Sequence, residues 1–388
     1  MSREGRLFTL CLTIFSVMLG FGIIAPLLPL YAESMGATGF EIGLVFSAFA
    51  LVRVATTTPM GALSDIYGRK RFLVLGIPLY IASSLLYLAA VNVPQLIAIR
   101  VFHGFASALV VPAALAYVAD LYPSSRRGEA MGSFNTAYFA GVGFGPLLGG
   151  LLADLAGFNW PFYACALLAL AGFLLSLLKL KETRIEHSGR KMKISYGFKL
   201  LSNRRMVSLI SSRVTWSIAM SSLLAFFPLL SLQAGLGLTE TGFLLTFSMA
   251  VTISLQRRFG RLSDKYGRKF PMVAGYLLAG LSLILIGHSR SLLEFLAYFT
   301  LFGVSGSLLI PSSSAAVVDL AGSESFGEAM GLYSTAVSLG VALGPILGGV
   351  IADLASLEAI FCLAALTCLA GSIIVLAFFK EATVNLKA

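Results

Sequence analysis

The chain is poor in charge. Asp, Glu, Lys and Arg make up only 12% of its 388 residues, whereas hydrophobic residues make up 57% and the mean hydropathy is +0.89. A soluble domain carries roughly 25% charged residues. This composition therefore excludes an ordinary soluble protein and requires lipid as part of the solvent.

The sequence also lacks the motifs of the common catalytic sites. It has no phosphate-binding loop of the G-x-x-x-x-G-K-[ST] form, which argues against an ATP-driven pump. Its three His and four Cys residues show no metal-ligand spacing, and no hydrolase elbow lies in a strand–turn–helix context. We expect no enzyme activity, no cofactor and no metal.

Twelve long apolar runs are present instead. Each is near the 20 residues that cross a bilayer as a helix, and none alternates with the period of two that a β-barrel strand needs. Only helices or closed barrels satisfy the backbone in lipid, so helices are predicted. The predicted spans are 8–31, 41–62, 72–90, 95–119, 130–154, 158–179, 206–232, 240–259, 271–288, 293–318, 329–353 and 357–379.

The basic residues predict the orientation of these spans. With the N-terminus inside, the cytoplasmic loops, the cytoplasmic ends of the spans and both termini hold 24 of the 28 Lys and Arg residues. This is the positive-inside pattern. The net charge of +10 is thus explained by topology, and we expect a multi-pass protein of the cell membrane with both termini cytoplasmic and no nucleic-acid partner.

An internal repeat divides the chain. Residues 61–70 read GALSDIYGRK, and residues 260–269, which lie 199 positions later, read GRLSDKYGRK. The same step carries Pro112 to Pro311 and Asp154 to Asp353. We predict an all-α membrane protein of twelve transmembrane helices in two pseudo-symmetric six-helix bundles. The boundaries are 1–182 for the first bundle, 183–205 for a basic cytoplasmic linker and 206–388 for the second bundle.

The repeated loop resembles the signature of the major facilitator superfamily, a family of membrane transporters, and the resemblance covers the whole chain. In that family the loop is a cytoplasmic gate latch whose basic residues pair with acids near the end of span 4. Carried over by match, the resemblance implies latch residues in both halves. They are Gly61, Asp65, Gly68, Arg69 and Asp120, with Gly260, Asp264, Gly267, Arg268 and Asp319 as the symmetric set. We expect Gly61 to permit close helix approach and Gly68 a tight turn.

Span 5 carries a stripe of small residues. Gly141, Gly145 and Gly149 recur every four residues on one helix face, and Pro146 removes a helix hydrogen bond. The stripe resembles the span-5 signature of the twelve-span drug/proton antiporters, a branch that exports its substrates. A similar stripe recurs at 340–349, so the internal repeat accounts for part of the pattern.

Span 4 places polar residues inside the membrane. Arg100, His103 and Gly104 share a face, and Arg100 with Gly104 fits the R-x-x-x-G motif that the resemblance links to proton transfer. His103 is either a proton-handling residue or a hydrogen-bonded packing residue, and the sequence does not decide between them. Arg53 and Arg213 also lie within spans.

No carboxylate is predicted near the bilayer centre, which departs from the pattern of exporters of organic cations. An electropositive path would favour anionic or neutral amphipathic substrates. By resemblance, spans 1, 4, 7 and 10 line the path. Its candidate residues are Arg53, Arg100, His103, Gly104, Arg213, Trp216, Phe21, Tyr31, Tyr117, Tyr298 and Phe302.

The resulting hypothesis is a secondary active transporter that exports small organic molecules by alternating access, with proton exchange left open as the coupling. An importer or symporter of the same fold and a non-transporting membrane receptor or scaffold are the alternatives. The expected partners are a small-molecule substrate and the lipid bilayer, and we expect a monomer.

Overall fold

The computed structural model describes residues 2–123, 126–183, 200–321 and 326–379. Within these ranges the chain forms thirteen helices and no strand. The helices are α1 (Arg3–Ile24), α2 (Leu28–Ser34), α3 (Gly39–Tyr67), α4 (Arg69–Ala89), α5 (Val93–Leu121), α6 (Arg127–Ala156), α7 (Trp160–Lys179), α8 (Arg204–Gln233), α9 (Leu238–Tyr266), α10 (Lys269–His288), α11 (Leu292–Ala321), α12 (Phe326–Leu354) and α13 (Leu357–Phe378). Most of the predicted linker 183–205 lies outside the described residues.

Twelve spans of membrane length are present in the described ranges, which confirms the predicted all-α membrane fold. α1 and α2 together form the first span, Arg3–Ser34. Helix α1 ends at Ile24 and α2 begins at Leu28. Pro26 lies within this break and Pro29 is the second residue of α2, and each lacks the backbone N–H that a continuous helix would use.

Several helices extend beyond the apolar runs that predicted them. Helix α3 covers Gly39–Tyr67, whereas the apolar run covers 41–62. A capping box starts this helix, because Thr38 accepts from the Glu41 N–H at 3.2 Å and Glu41 accepts from the Thr38 N–H at 2.9 Å. Hydropathy detects only the apolar part of a helix, so it does not detect the more polar turns at the helix ends.

The chain divides into two compact units. The first comprises Met1–Arg190 with Gly237–Thr246, and the second comprises Lys191–Leu236 with Phe247–Ala388. In the first unit α1 packs on α6 and α7, and α4 packs on α5 and α7. In the second unit α8 packs on α12 and α13, and α10 packs on α11 and α13. The same pairing in both units matches the sequence repeat.

The second unit carries many buried serines on α8. Most of their hydroxyls donate to backbone carbonyls, as Ser212 does to Leu209 at 3.0 Å and Ser222 does to Gly344 at 2.9 Å. Such bonds satisfy a hydroxyl and let it lie in an apolar interior. Ser217 is an exception, because its buried hydroxyl has no partner among the described residues.

Candidate functional site

Each unit contains one copy of the charged loop motif, and the arginine at its end gathers the polar residues around it. In the first unit Arg69 contacts Asp65, lies 3.3 Å from the Asp120 carboxylate through Nε, and donates to the Ser64 hydroxyl at 2.8 Å. The predicted latch residues Asp65, Arg69 and Asp120 are therefore brought together within one unit.

The second unit repeats this arrangement. Arg268 contacts Asp264, donates to Asp319 at 3.0 Å through Nε, and donates to the Ser263 hydroxyl at 3.2 Å. Burial tends to lower the pKa of Arg268, but the hydrogen bonds to Asp264 and Asp319 outweigh it and raise this pKa. The guanidinium therefore stays charged.

Two of the four loop glycines are required by the backbone, and two are not. Gly68 and Gly267 adopt φ angles of +104° and +92°, which side chains avoid, so they form the turns between helices. The expectation of close helix approach at Gly61 is wrong. A Cβ there would lie 3.6 Å from Pro112 Cβ, which is ordinary contact, and at Gly260 it would lie 3.7 Å from Pro311 Cβ.

Nothing in the sequence indicated one residue that contacts the first loop. The Glu182 carboxylate accepts from the backbone N–H groups of Lys70 at 3.1 Å and Arg71 at 3.4 Å. It thereby caps the start of α4, where free N–H groups and the helix dipole favour an anion. Glu182 lies over 110 positions from its partners, so no local pattern could have indicated this contact.

The glycine stripe of α6 packs against the backbone of α1. A Cβ on Gly145 would lie 2.4 Å from Gly22 Cα, one on Gly149 would lie 2.5 Å from the Ile23 oxygen, and one on Gly141 would lie 2.7 Å from the Phe15 oxygen. These positions have no room for a side chain. Pro146 lies buried in the same helix.

The far end of α6 holds the start of α9, and both segments belong to the first compact unit. The Asp154 carboxylate accepts from the Thr239 N–H at 2.8 Å and from its hydroxyl at 2.6 Å. A Cβ on Gly242 would lie 2.1 Å from the Pro146 oxygen. The sequence placed Asp154 at a span end but indicated no partner for it.

Arg100 and His103 lie in the core of the first unit. Arg100 is 3% exposed, donates through Nε to the Val45 oxygen at 2.9 Å, and lies 4.5 Å above the centre of the Phe49 ring. The His103 ring contacts four aromatic rings, and its Nδ1 is 3.2 Å from the Tyr87 hydroxyl. Its Nε2 has no partner among the described residues.

Three further path candidates have structural contacts in the first unit. Tyr117 is fully buried and donates to the Lys181 oxygen at 2.7 Å, so it is a core residue in this structure rather than a wall residue. Tyr31 donates to the Tyr87 and Ala90 oxygens. Phe21 packs on Phe49 with ring centres 5.1 Å apart.

The remaining candidates differ in their surroundings. Gly104 packs against α3, because a Cβ there would lie 2.6 Å from the Phe49 oxygen. Arg53 and Tyr298 are half-buried on α3 and α11. In the second unit Trp216 stacks on Phe302, with ring centres 5.5 Å apart and planes 10° apart.

Arg213 lies one turn before Trp216 on α8. Its Cζ is 4.9 Å from the centre of the Tyr333 ring. The buried Nε and Nη1 atoms have no hydrogen-bond partner among the described residues. Arg100 and Arg213 therefore differ in their hydrogen bonding. Arg100 donates to a backbone oxygen, whereas two donor atoms of Arg213 have no acceptor among the described residues.

Within the described residues, twelve membrane-length helices in two repeated bundles define a multi-pass helical membrane protein. The family model described as Major Facilitator Superfamily matches residues 10–259 and 237–388. The chain belongs to the Major Facilitator Superfamily.

The chain is similar over most of its length to several proteins of this family. It is 35% identical to an uncharacterized MFS-type transporter of Methanocaldococcus jannaschii, covering 90% of this chain and 92% of that protein. It is 30% identical to multidrug resistance protein 2 of Bacillus subtilis, covering 88% and 87%. The crystal structure of the nucleoside transporter NupG shares the fold, with a TM-score of 0.81 at 15% identity over 97% of this chain and 99% of that one.

Proposed function

We propose that the protein is a secondary active transporter that exports small organic molecules across the cell membrane by alternating access. The observation that carries the proposal is the glycine face of α6, which packs on α1 backbone at Gly145 and matches the antiporter-type motif. The 30% identity to a protein named for multidrug resistance supports the same direction and substrate class.

In this mechanism the two homologous bundles rock about a site near the bilayer midplane. The two charged loops act as cytoplasmic latches. Arg69 and Arg268 organise them, because each arginine contacts two acids of its own loop region. Charge-assisted hydrogen bonds to both acids hold each arginine in one position, so the loop keeps its shape while it makes and breaks contacts.

Sided membrane vesicles test the direction of transport. Inside-out vesicles from cells that express the protein should accumulate a fluorescent amphipathic compound, and right-side-out vesicles should not. Gly145→Leu serves as the inactive control, because a large side chain cannot fit 2.4 Å from the α1 backbone. Accumulation only in right-side-out vesicles would identify an importer or symporter, and no gradient-driven movement in either would favour a receptor or scaffold.

The coupling and the topology are tested with the same vesicles. Uptake is compared with and without an imposed proton gradient, and loss of uptake when the gradient is collapsed would support proton exchange. A single cysteine introduced at residue 190 should react with an impermeant maleimide only in inside-out vesicles, since the proposed topology places this linker in the cytoplasm. Light scattering of the purified protein checks the expected monomer.

A further inference from the structure

Three polar residues of the second unit contact one another inside the helical bundle, and with a fourth that lies one turn away on α8 they make up a polar cluster. Arg213 and Ser217 lie one turn apart on α8, Tyr333 lies on α12, and Ser313 lies on α11. The Tyr333 ring lies under the Arg213 guanidinium, and its hydroxyl is 2.8 Å from the Ser313 hydroxyl. Ser217 and Tyr333 are 3% and 7% exposed.

The cluster has more donors than acceptors. A guanidinium carries five N–H donors and no acceptor, and Nε and Nη1 of Arg213 are buried without partners among the described residues. The buried Ser217 hydroxyl is also unsatisfied. Glu328 lies in the first turn of α12, five residues before Tyr333. It does not accept from these nitrogens, and its own buried Oε2 has no partner among the described residues. A ring face attracts the charge but accepts no ordinary hydrogen bond from these nitrogens.

The internal repeat shows that the fold does not need this polarity. The residues 199 positions earlier are Ile14, Met18, Ala114 and Phe134. All four are buried members of the apolar core of the first unit. The same four positions are therefore hydrophobic packing residues in one bundle and Arg, Ser, Ser and Tyr in the other. A purely structural role does not explain the polar residues of the second unit, because four apolar side chains fill the equivalent positions of the first unit.

An unpaired cation in a membrane-spanning bundle is costly and marks a functional site. Arg100 differs in its hydrogen bonding, because its Nε donates to the Val45 oxygen, whereas Nε and Nη1 of Arg213 have no acceptor among the described residues. The unsatisfied N–H groups of Arg213 would be satisfied best by an anionic acceptor. One turn further along α8, Trp216 stacks on Phe302, and these apolar rings are 4% and 3% exposed.

We propose that Arg213, Ser217, Tyr333 and Ser313 bind the carboxylate of an amphipathic aromatic substrate, with the Trp216–Phe302 pair contacting its apolar part. The Arg213 guanidinium pairs with the carboxylate, and the Ser217 hydroxyl donates to it. This inference rests on the proposed transport function for its biological meaning, but binding itself is measured without transport.

The chain offers a built-in reporter for the test. It has two tryptophans, and Trp216 lies at the proposed site while Trp160 is exposed in the first unit. Trp160→Phe leaves Trp216 as the only tryptophan, which is excited selectively at wavelengths that tyrosine does not absorb. Purified protein is titrated with a naphthyl carboxylate, its primary amide and the corresponding naphthyl amine. We expect saturable quenching with affinity in the order carboxylate, amide, amine.

Arg213→Ile is the decisive variant, because the repeat places Ile14 at the equivalent position. It should lower the carboxylate affinity by about tenfold or more, leave amide binding nearly unchanged and raise the thermal stability of the empty protein. Tyr333→Phe and Ser217→Ala should weaken carboxylate binding less. Arg257→Ala, at an exposed arginine of α9, is the matched control and should change neither affinity nor stability.

Equal carboxylate affinity in the wild type and Arg213→Ile, or tighter binding of the amine than of the carboxylate, would overturn the proposal. A lower thermal stability of Arg213→Ile would also count against it, since it would assign a structural role to the arginine. If Arg213→Ile does not fold, unchanged carboxylate affinity in both Ser217→Ala and Tyr333→Phe would overturn it. Carboxylate binding without transport in any vesicle would refute the proposed transport function and leave the binding site standing.

Discussion

The closest backbone contact of the glycine face gives the sharpest prediction. Gly145→Ala adds one methyl group whose carbon would lie 2.4 Å from Gly22 Cα and 2.6 Å from the Ile23 nitrogen. Carbon atoms pack best at about 3.5–4.0 Å, so α1 and α6 would have to separate by roughly 1 Å. Alanine at this position should therefore already be harmful, although its side chain is the smallest.

The magnitude follows from a comparison within the same helix. Overpacking of this kind costs about 1–3 kcal/mol. Gly132 also lies in α6, but a Cβ there would meet nothing within 4 Å. Both substitutions gain the same helix propensity of about 1 kcal/mol, so the difference between them isolates the contact with α1. Gly132→Ala should be neutral or stabilising, and Gly145→Ala should be less stable than Gly132→Ala by about 1–3 kcal/mol.

Unfolding of the two purified variants in one detergent, followed by fluorescence, measures this difference. Transport into sided vesicles measures its functional consequence, and Gly145→Ala should transport several times more slowly than Gly132→Ala. Equal stability and equal transport of the two variants would show that α1 does not depend on this contact, and the packing explanation would fail.

Three further predictions concern other contacts. Arg69→Gln should reduce transport because it leaves Asp120 without its cation, and adding Asp120→Asn should restore part of the activity; no recovery in the double variant would contradict a pairing role. Asp154→Ala should destabilise the start of α9 by about 1 kcal/mol, because Thr239 loses its acceptor, whereas Asp154→Asn keeps an acceptor and should cost less in thermal unfolding. Equal losses in these two variants would point to the charge instead. His103→Phe should leave the pH dependence of transport unchanged, because aromatic rings enclose the imidazole; a shifted profile would support a proton-handling role.

The membrane fold could be predicted from the sequence because its main signals are local. A run of apolar residues near 20 in length indicates a span wherever it occurs, and the repeat of residues 61–70 at 260–269 indicates two homologous halves. The glycine spacing of α6 indicated a packing face in the same way, since a helix places every fourth residue on one side.

Only the tertiary structure decided which polar groups are satisfied. Three arginines within spans are equivalent by hydropathy, yet Arg100 donates to the Val45 oxygen while two nitrogens of Arg213 have no partner among the described residues. The Glu182 cap on α4 and the Asp154 contact with Thr239 join residues far apart in sequence. Hydrogen bonding depends on distances of a few tenths of an ångström between such groups, and periodicity along one helix carries no information about them.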